Sequence, residues 1–245
     1  MAEFDRPTIA AARAGTGAAI DEGLRSYMLK VYNYMGVGLV VTGLVAYFAN
    51  QAAVSNGQLT GWGELLYTSP LMWVVALSPL AIVLVLSFGI NKLSVPAAQA
   101  IFWGFSALMG LSLSSIFMVY TDASIAKVFF ITAATFGAMS LYGYTTKRDL
   151  TSIGNFLIMG LIGLIIASIV NIFLQSSMLE FAISAIGVLI FVGLTAYDTQ
   201  KIKEGYSSSF GADVLAKGAI MGALNLYLDF INLFLMLLRL FGNRE

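Results

Sequence analysis

Six stretches of this chain contain no charged residue: 31–63, 65–91, 93–121, 128–146, 150–179 and 181–197. An α-helix needs about 20 consecutive apolar residues to cross the hydrocarbon core of a bilayer. The runs therefore predict six spans, over 31–50, 71–91, 97–120, 127–146, 153–175 and 180–200. The first run is longer than one span, but its later part, Asn50 to Gly63, is polar and glycine-rich and reads as an exposed loop. A seventh candidate lies between Lys217 and Arg239, where the 21 intervening residues carry a single charge, Asp229.

Composition supports the same class. Only 11% of the 245 residues are charged and 59% are hydrophobic, against about 25% charged in a soluble domain. A soluble helix has a polar face, whereas Leu157–Val170, LIMGLIGLIIASIV, is apolar all round. The expected fold is an all-α polytopic membrane protein with seven transmembrane helices. Residues 1–25, rich in Ala and Gly and without an apolar core, read as a mobile cytoplasmic tail rather than a secretory signal. Residues 26–245 form the transmembrane domain.

Lysine and arginine placement predicts orientation. With the N-terminus inside, Arg6, Arg13, Arg25, Lys30, Lys92, Lys147, Arg148, Lys201, Lys203 and Lys217 fall on the inner side, and among the outer connections only Lys127 is basic. A fully crossing seventh helix puts Arg239 and Arg244 outside. A helix that enters and stops short, keeping both termini inside, is the alternative.

Composition also excludes chemistry. With no cysteine and no histidine there is no disulfide framework, no usual zinc site, no thiol nucleophile and no Ser-His-Asp triad. Zero net charge offers nothing to nucleic acid, which demands a basic surface. No cofactor is expected.

The seventh span carries the candidate site. Gly218, Gly222, Asn225, Asp229, Asn232, Met236 and Arg239 recur at alternating intervals of four and three, which places them on one helix face. Small and polar residues in a membrane helix face other helices, so this stripe is expected inside the bundle. A carboxylate at the bilayer centre costs ~3 kcal/mol on insertion scales, and such a residue is functional by default. The plain alternative is a neutral aspartic acid that hydrogen-bonds neighbouring helices. Asp198, in AYDTQKIKEGY, is a second candidate, and its plain reading is a solvated interfacial carboxylate near Lys201 and Lys203. Nothing breaks that helix before Gly205, so Asp198 is expected a turn or two inside the boundary. Lys92 is the only charge between Glu64 and Asp122. Its plain reading is an anchor that snorkels to the headgroups. Asn171 and Ser112, Ser114 and Ser115 are polar residues of the kind that bond across helices.

AYDTQKIKEGY at 196–206 and LNLYLDFINLFLMLLRLFG at 224–242 closely resemble the signature of the Bax inhibitor-1 (transmembrane Bax inhibitor motif) family, and the tyrosine-aspartate pair at 197–198 and NIF at 171–173 also fit. The look is of the bacterial branch, which implies a cell inner membrane. The resemblance implies a central seventh helix wrapped by helices one to three and four to six, and a pH-sensitive calcium leak gated by paired aspartates, here Asp198 and Asp229. Tyr197, Asn171, Asn225 and Asn232 are expected to support the pair. Members often carry an arginine at the inner end of helix two that engages the pair in the closed form. Lys92 occupies that position and keeps the charge without the bidentate fork. Two neighbouring carboxylates in a low dielectric share a proton, and their titration belongs to the pair. Calcium takes about 6–8 oxygens, so the pair is expected to bind it only in transit.

Other functions are weighed on the same residues. An intramembrane aspartyl protease also pairs two aspartates, but its second aspartate follows Gly-x-Gly, where this chain has Leu226-Tyr227-Leu228, so no enzyme is expected. A retinal protein needs a lysine within helix seven, and Lys217 lies at the edge. A proton-coupled transporter finds no clear internal repeat to support it. The resemblance also implies a regulatory binding protein that modulates a membrane-bound protease or a stress response. Expected partners are thus the lipid bilayer, calcium, protons and a membrane protease.

Overall fold

In the computed structural model, backbone is described for residues 6–244 and side chains for residues 22–244. The expected tail over 1–25 falls largely outside the described side chains. Eight α-helices are described: α1 (Arg6–Ala53), α2 (Gly61–Tyr67), α3 (Leu71–Gly89), α4 (Val95–Leu113), α5 (Asp122–Thr145), α6 (Thr151–Leu174), α7 (Ser177–Glu204) and α8 (Ala212–Phe241). All but α2 contain a stretch long and apolar enough to cross a membrane. The chain is an all-α polytopic membrane protein.

The boundaries follow local chemistry. Side-chain oxygens of Ser94, Thr121 and Ser176 cap α4, α5 and α7 by accepting a backbone N–H three residues on, the ordinary N-cap arrangement. The α7 helix runs past the uncharged stretch to Glu204 and stops at Gly205, as the absence of a breaker predicted. The segment expected as a plain loop, 50–63, is more ordered than that. Val54–Ser55 and Gln58–Leu59 form a two-residue-per-strand hairpin, and Asn56 and Gly57 both have positive φ, the turn that Asn-Gly favours. Helix α2 follows, capped by Thr60.

The bundle is organised around α8. Of its most apolar stretch 72% is buried, against 11% for α3 and 6% for α6. Helix α8 packs against α1, α4, α5 and α7, while α3 and α6 lie outside on α4 and α7. Both ends are pinned. At one end the Lys217 ammonium donates to Asn91 O (3.4 Å), and Gly218 faces the Tyr27 hydroxyl. This end also holds Arg25, Lys92, Lys147, Arg148, Lys201 and Lys203 and is called the basic end below. At the opposite end Thr121 N donates to Asn243 O (3.2 Å), Asn243 N to Ser124 Oγ (2.9 Å), and Arg244 pairs with Glu180 (3.3 Å). Helix α8 therefore traverses the whole bundle, about 45 Å for its 30 residues at 1.5 Å each. Tyr27 and Arg244 lie at opposite ends of the bundle, so α8 has the full-length course of the first reading and not that of a helix that stops short.

Candidate functional site

The site is built where α7 and α8 run antiparallel. Their register is set by glycines that permit close approach. A Cβ at Gly222 would meet Ile202 at 3.1 Å, and one at Gly187 would meet the Met236 sulfur at 2.9 Å. Gly218 and Gly222 thus face neighbours within the bundle, Tyr27 and Ile202. Between these two crossings the carboxyl groups of Asp198 and Asp229 come within hydrogen-bonding reach of each other. Asp229 is 5% exposed, and Asp198 is half-buried on the side nearer the basic end.

Chemically, the pair is short of a hydrogen-bond donor. Two ionised carboxylates have acceptors only, and Asp229 Oδ2 is the one buried side-chain nitrogen or oxygen left without a partner among the described residues. An orphaned buried acceptor is costly. A proton held between the two groups would supply a donor and link α7 to α8. The cation that acts most directly on Asp198 is Lys201, one turn along the same helix, with its ammonium 5.7 Å from the centre of the Tyr197 ring. None of the five described cavities is lined by either aspartate.

The other residues singled out from sequence are dispersed. Lys92 is exposed in the turn between α3 and α4, and makes no ion pair among the described residues. The expected latch is not engaged, because the turn carries the ammonium to the rim of the bundle. Tyr197 points away from the pair, toward α6, where a Cβ on Gly154 would come within 2.3 Å of its ring. Asn171 lies at the opposite end, where its Oδ1 accepts from Ser176 N (3.0 Å) and holds the α6–α7 turn. Asn225 and Asn232 are half-buried, and Asn232 Nδ2 donates within its own helix to Leu228 O (2.8 Å). The predicted stripe is therefore only half right. Gly222, Asp229 and Met236 face inward, but so do Leu226, Tyr227, Leu233 and Leu237. The less covered face of α8 is the one bearing Asn225, Leu228, Asn232 and Leu235.

Sequence reasoning missed three polar links that frame the pair. The Tyr227 hydroxyl, fully buried, meets Thr42 Oγ1 of α1 at 2.6 Å, and Thr42 in turn donates to Ser106 O of α4 (2.8 Å). A chain of hydroxyls runs from Tyr32 to Ser140 (2.6 Å) and on to Thr199 (3.0 Å), joining α1, α5 and α7 one residue from Asp198. Gln200 clamps the α5–α6 turn by donating to Arg148 O and accepting from Leu150 N, both at 2.8 Å. In the same turn Thr151 hydrogen bonds hold the exposed Asp149 carboxyl below the usual carboxylate range. Each link joins residues far apart in sequence, so no spacing rule reveals it.

The family model for Bax1-I, described as inhibitor of apoptosis-promoting Bax1, matches residues 24–245. The chain belongs to the Bax inhibitor family. The match includes both aspartates and the full set of spanning stretches from α1 to α8. The inner membrane protein YbhL of Escherichia coli strain K12 is 54% identical over 227 residues, which cover 91% of this chain and 94% of that protein. A protein of Rickettsia prowazekii is 50% identical over 225 residues, 92% of each chain. A Streptococcus pyogenes membrane protein is 37% identical over 92% of this chain and 96% of its own length.

Proposed function

We propose that this Bax inhibitor family protein is a pH-sensitive calcium leak of the inner membrane, N-terminus on the cytoplasmic side, gated by the Asp198–Asp229 pair. The observation that carries the reading is a carboxyl pair between two helices within a membrane bundle, with Asp229 buried and its Oδ2 lacking a hydrogen-bond partner among the described residues. With one proton between them the carboxyls hold α7 to α8. Without it two negative charges face each other in a low dielectric and repel, so the helices part and a cation path opens beside α8. Calcium is the cargo, not a resident ion. Among the described residues no cluster of three or more acidic side chains exists to hold it, and two carboxylates fall well short of its usual 6–8 ligands. Passage therefore depends on water and backbone oxygens exposed when the helices separate. Inner-membrane placement is taken from YbhL, and orientation from the basic end.

Calcium flux from vesicles containing the purified chain tests this. Flux is expected to rise with pH in the native protein. It should lose its pH dependence in Asp229→Asn, whose amide donates permanently to Asp198. Unaltered flux and pH dependence in both Asp229→Asn and Asp198→Asn would dismiss the gate.

A further inference from the structure

Helices α1 and α5 both pack on α8 but barely touch one another, and the hydrogen bond from Tyr32 to Ser140 is their side-chain link among the described residues. Between them, toward the basic end, lies a groove of about 520 Å³, inside the range of roughly 300–1,000 Å³ typical of small-molecule sites. Its walls are Leu29, Phe136 and Leu141, its floor is Gly137, and Arg25 and Tyr144 stand at its basic-end mouth. From Gly137 to Tyr144 it follows roughly 11 Å of helix. Leu29 and Leu141 are more than half exposed, so the groove opens sideways into the bilayer, not toward water.

We infer that this groove binds one acyl chain of an anionic phospholipid from the leaflet at the basic end, with the headgroup phosphate on Arg25. Three observations favour this occupant. The walls are apolar and face lipid, so a hydrocarbon chain fills them without desolvating any polar group. The charge at the mouth is positive: besides Arg25, the Lys203 ammonium is fixed there by donating to Tyr144 O (2.8 Å), with Lys147 and Arg148 in the turn that follows. Among the described residues the acids at this end are Glu22, Asp149, Asp198, Glu204 and Asp213. Asp149 is already engaged with Thr151 N (2.8 Å), Asp198 faces α8, and Asp213 lies away from the groove beside Lys217 and Asn91. Finally, Gly137 is exposed and carries no side chain, so the groove stays open along its length and leaves room for an acyl chain. The site lies directly behind the aspartate pair. Phe136 packs edge-on against Phe230 at 5.5 Å between centroids, next to Asp229, and Ser140 bonds Thr199, next to Asp198.

The test uses the full chain in phosphatidylcholine vesicles doped with a phosphatidylglycerol carrying a photoreactive group in its acyl chain, the cross-links being mapped by mass spectrometry. Cross-links are expected to concentrate on Leu29 and Leu141, several-fold above those from a phosphatidylcholine probe. They should fall several-fold in Gly137→Phe, which fills a space the protein leaves open, and in the milder Gly137→Leu. Arg25→Gln should abolish the preference for the anionic probe while leaving some labelling. Equal labelling by both probes, unchanged by Arg25→Gln, means ordinary boundary lipid and overturns the site. So does labelling that survives both Gly137 variants, or labelling that falls as protein density in the vesicle rises, which means a second copy covers the groove.

Discussion

Helices α6 and α8 are both long enough to cross a bilayer, yet their most apolar stretches are 6% and 72% buried, with mean hydropathies of 2.7 and 1.7. The more apolar helix is the one outside. In water the order would be reversed, but lipid is as apolar as leucine, so no hydrophobic force drives a greasy helix inward. What moves a helix to the centre is instead close packing and polar groups that need partners. Helix α8 holds Asp229 and Tyr227, both buried with their partners on α7 and α1. Helix α6 has no charged residue and exposes Phe156, Met159 and Ile162 to lipid.

That contrast can be broken by substitution, with chemical denaturation in mixed micelles as the measure. The largest effect is expected at the closest crossing of the inner helices. A Cβ on Gly143 of α5 would lie 2.1 Å from Ala196 O of α7, and a backbone carbonyl cannot swing aside. Gly143→Ala should therefore destabilise by about 3 kcal/mol, the upper part of the usual overpacking range. Gly163→Ala on α6, with nothing within 4 Å, should stabilise slightly through helix propensity. Next, Leu226→Ala in α8, a site 0% exposed, should cost about 2 kcal/mol. This is the low end for such truncations, because a chain unfolded in lipid or micelle gains little by transfer. Met159→Ala on α6, 71% exposed, should fall within about 0.5 kcal/mol of native. The smallest loss among the inner-helix variants is expected for Tyr227→Phe. Removing the hydroxyl breaks the bond to Thr42 but leaves Thr42 donating to Ser106 O, so a loss of about 1 kcal/mol is anticipated. Equal sensitivity of α6 and of the inner helices α5 and α8 across these pairs would show that packing does not select the central helices.

Much of the fold was legible because charge is so costly in lipid. The uncharged runs marked six of the seven spans, and the unbroken sequence after Asp198 marked how far α7 continues. Asp229 stood out for the same reason. The neighbours of the pair were less legible. Lys92 shares a position with a family arginine, yet the α3–α4 turn leaves it at the rim, and Asn171 serves a turn at the far end of the bundle. The stripe on α8 suggested one inward face, but a helix surrounded by α1, α4, α5 and α7 buries most of its circumference. A periodic pattern describes only the helix that bears it.

By itself, then, the sequence determined that the chain lives in a bilayer, where it crosses, and that two carboxylates lie within or beside spans. These follow from the free energy of placing each residue in lipid, a property residues carry individually. Only the tertiary structure decided that Asp198 and Asp229 meet, that α8 passes through the whole bundle, and that Lys92 stays at the rim, away from the pair. Those depend on the register of two antiparallel helices, set within ångströms by Gly187 and Gly222 against side chains far away in sequence.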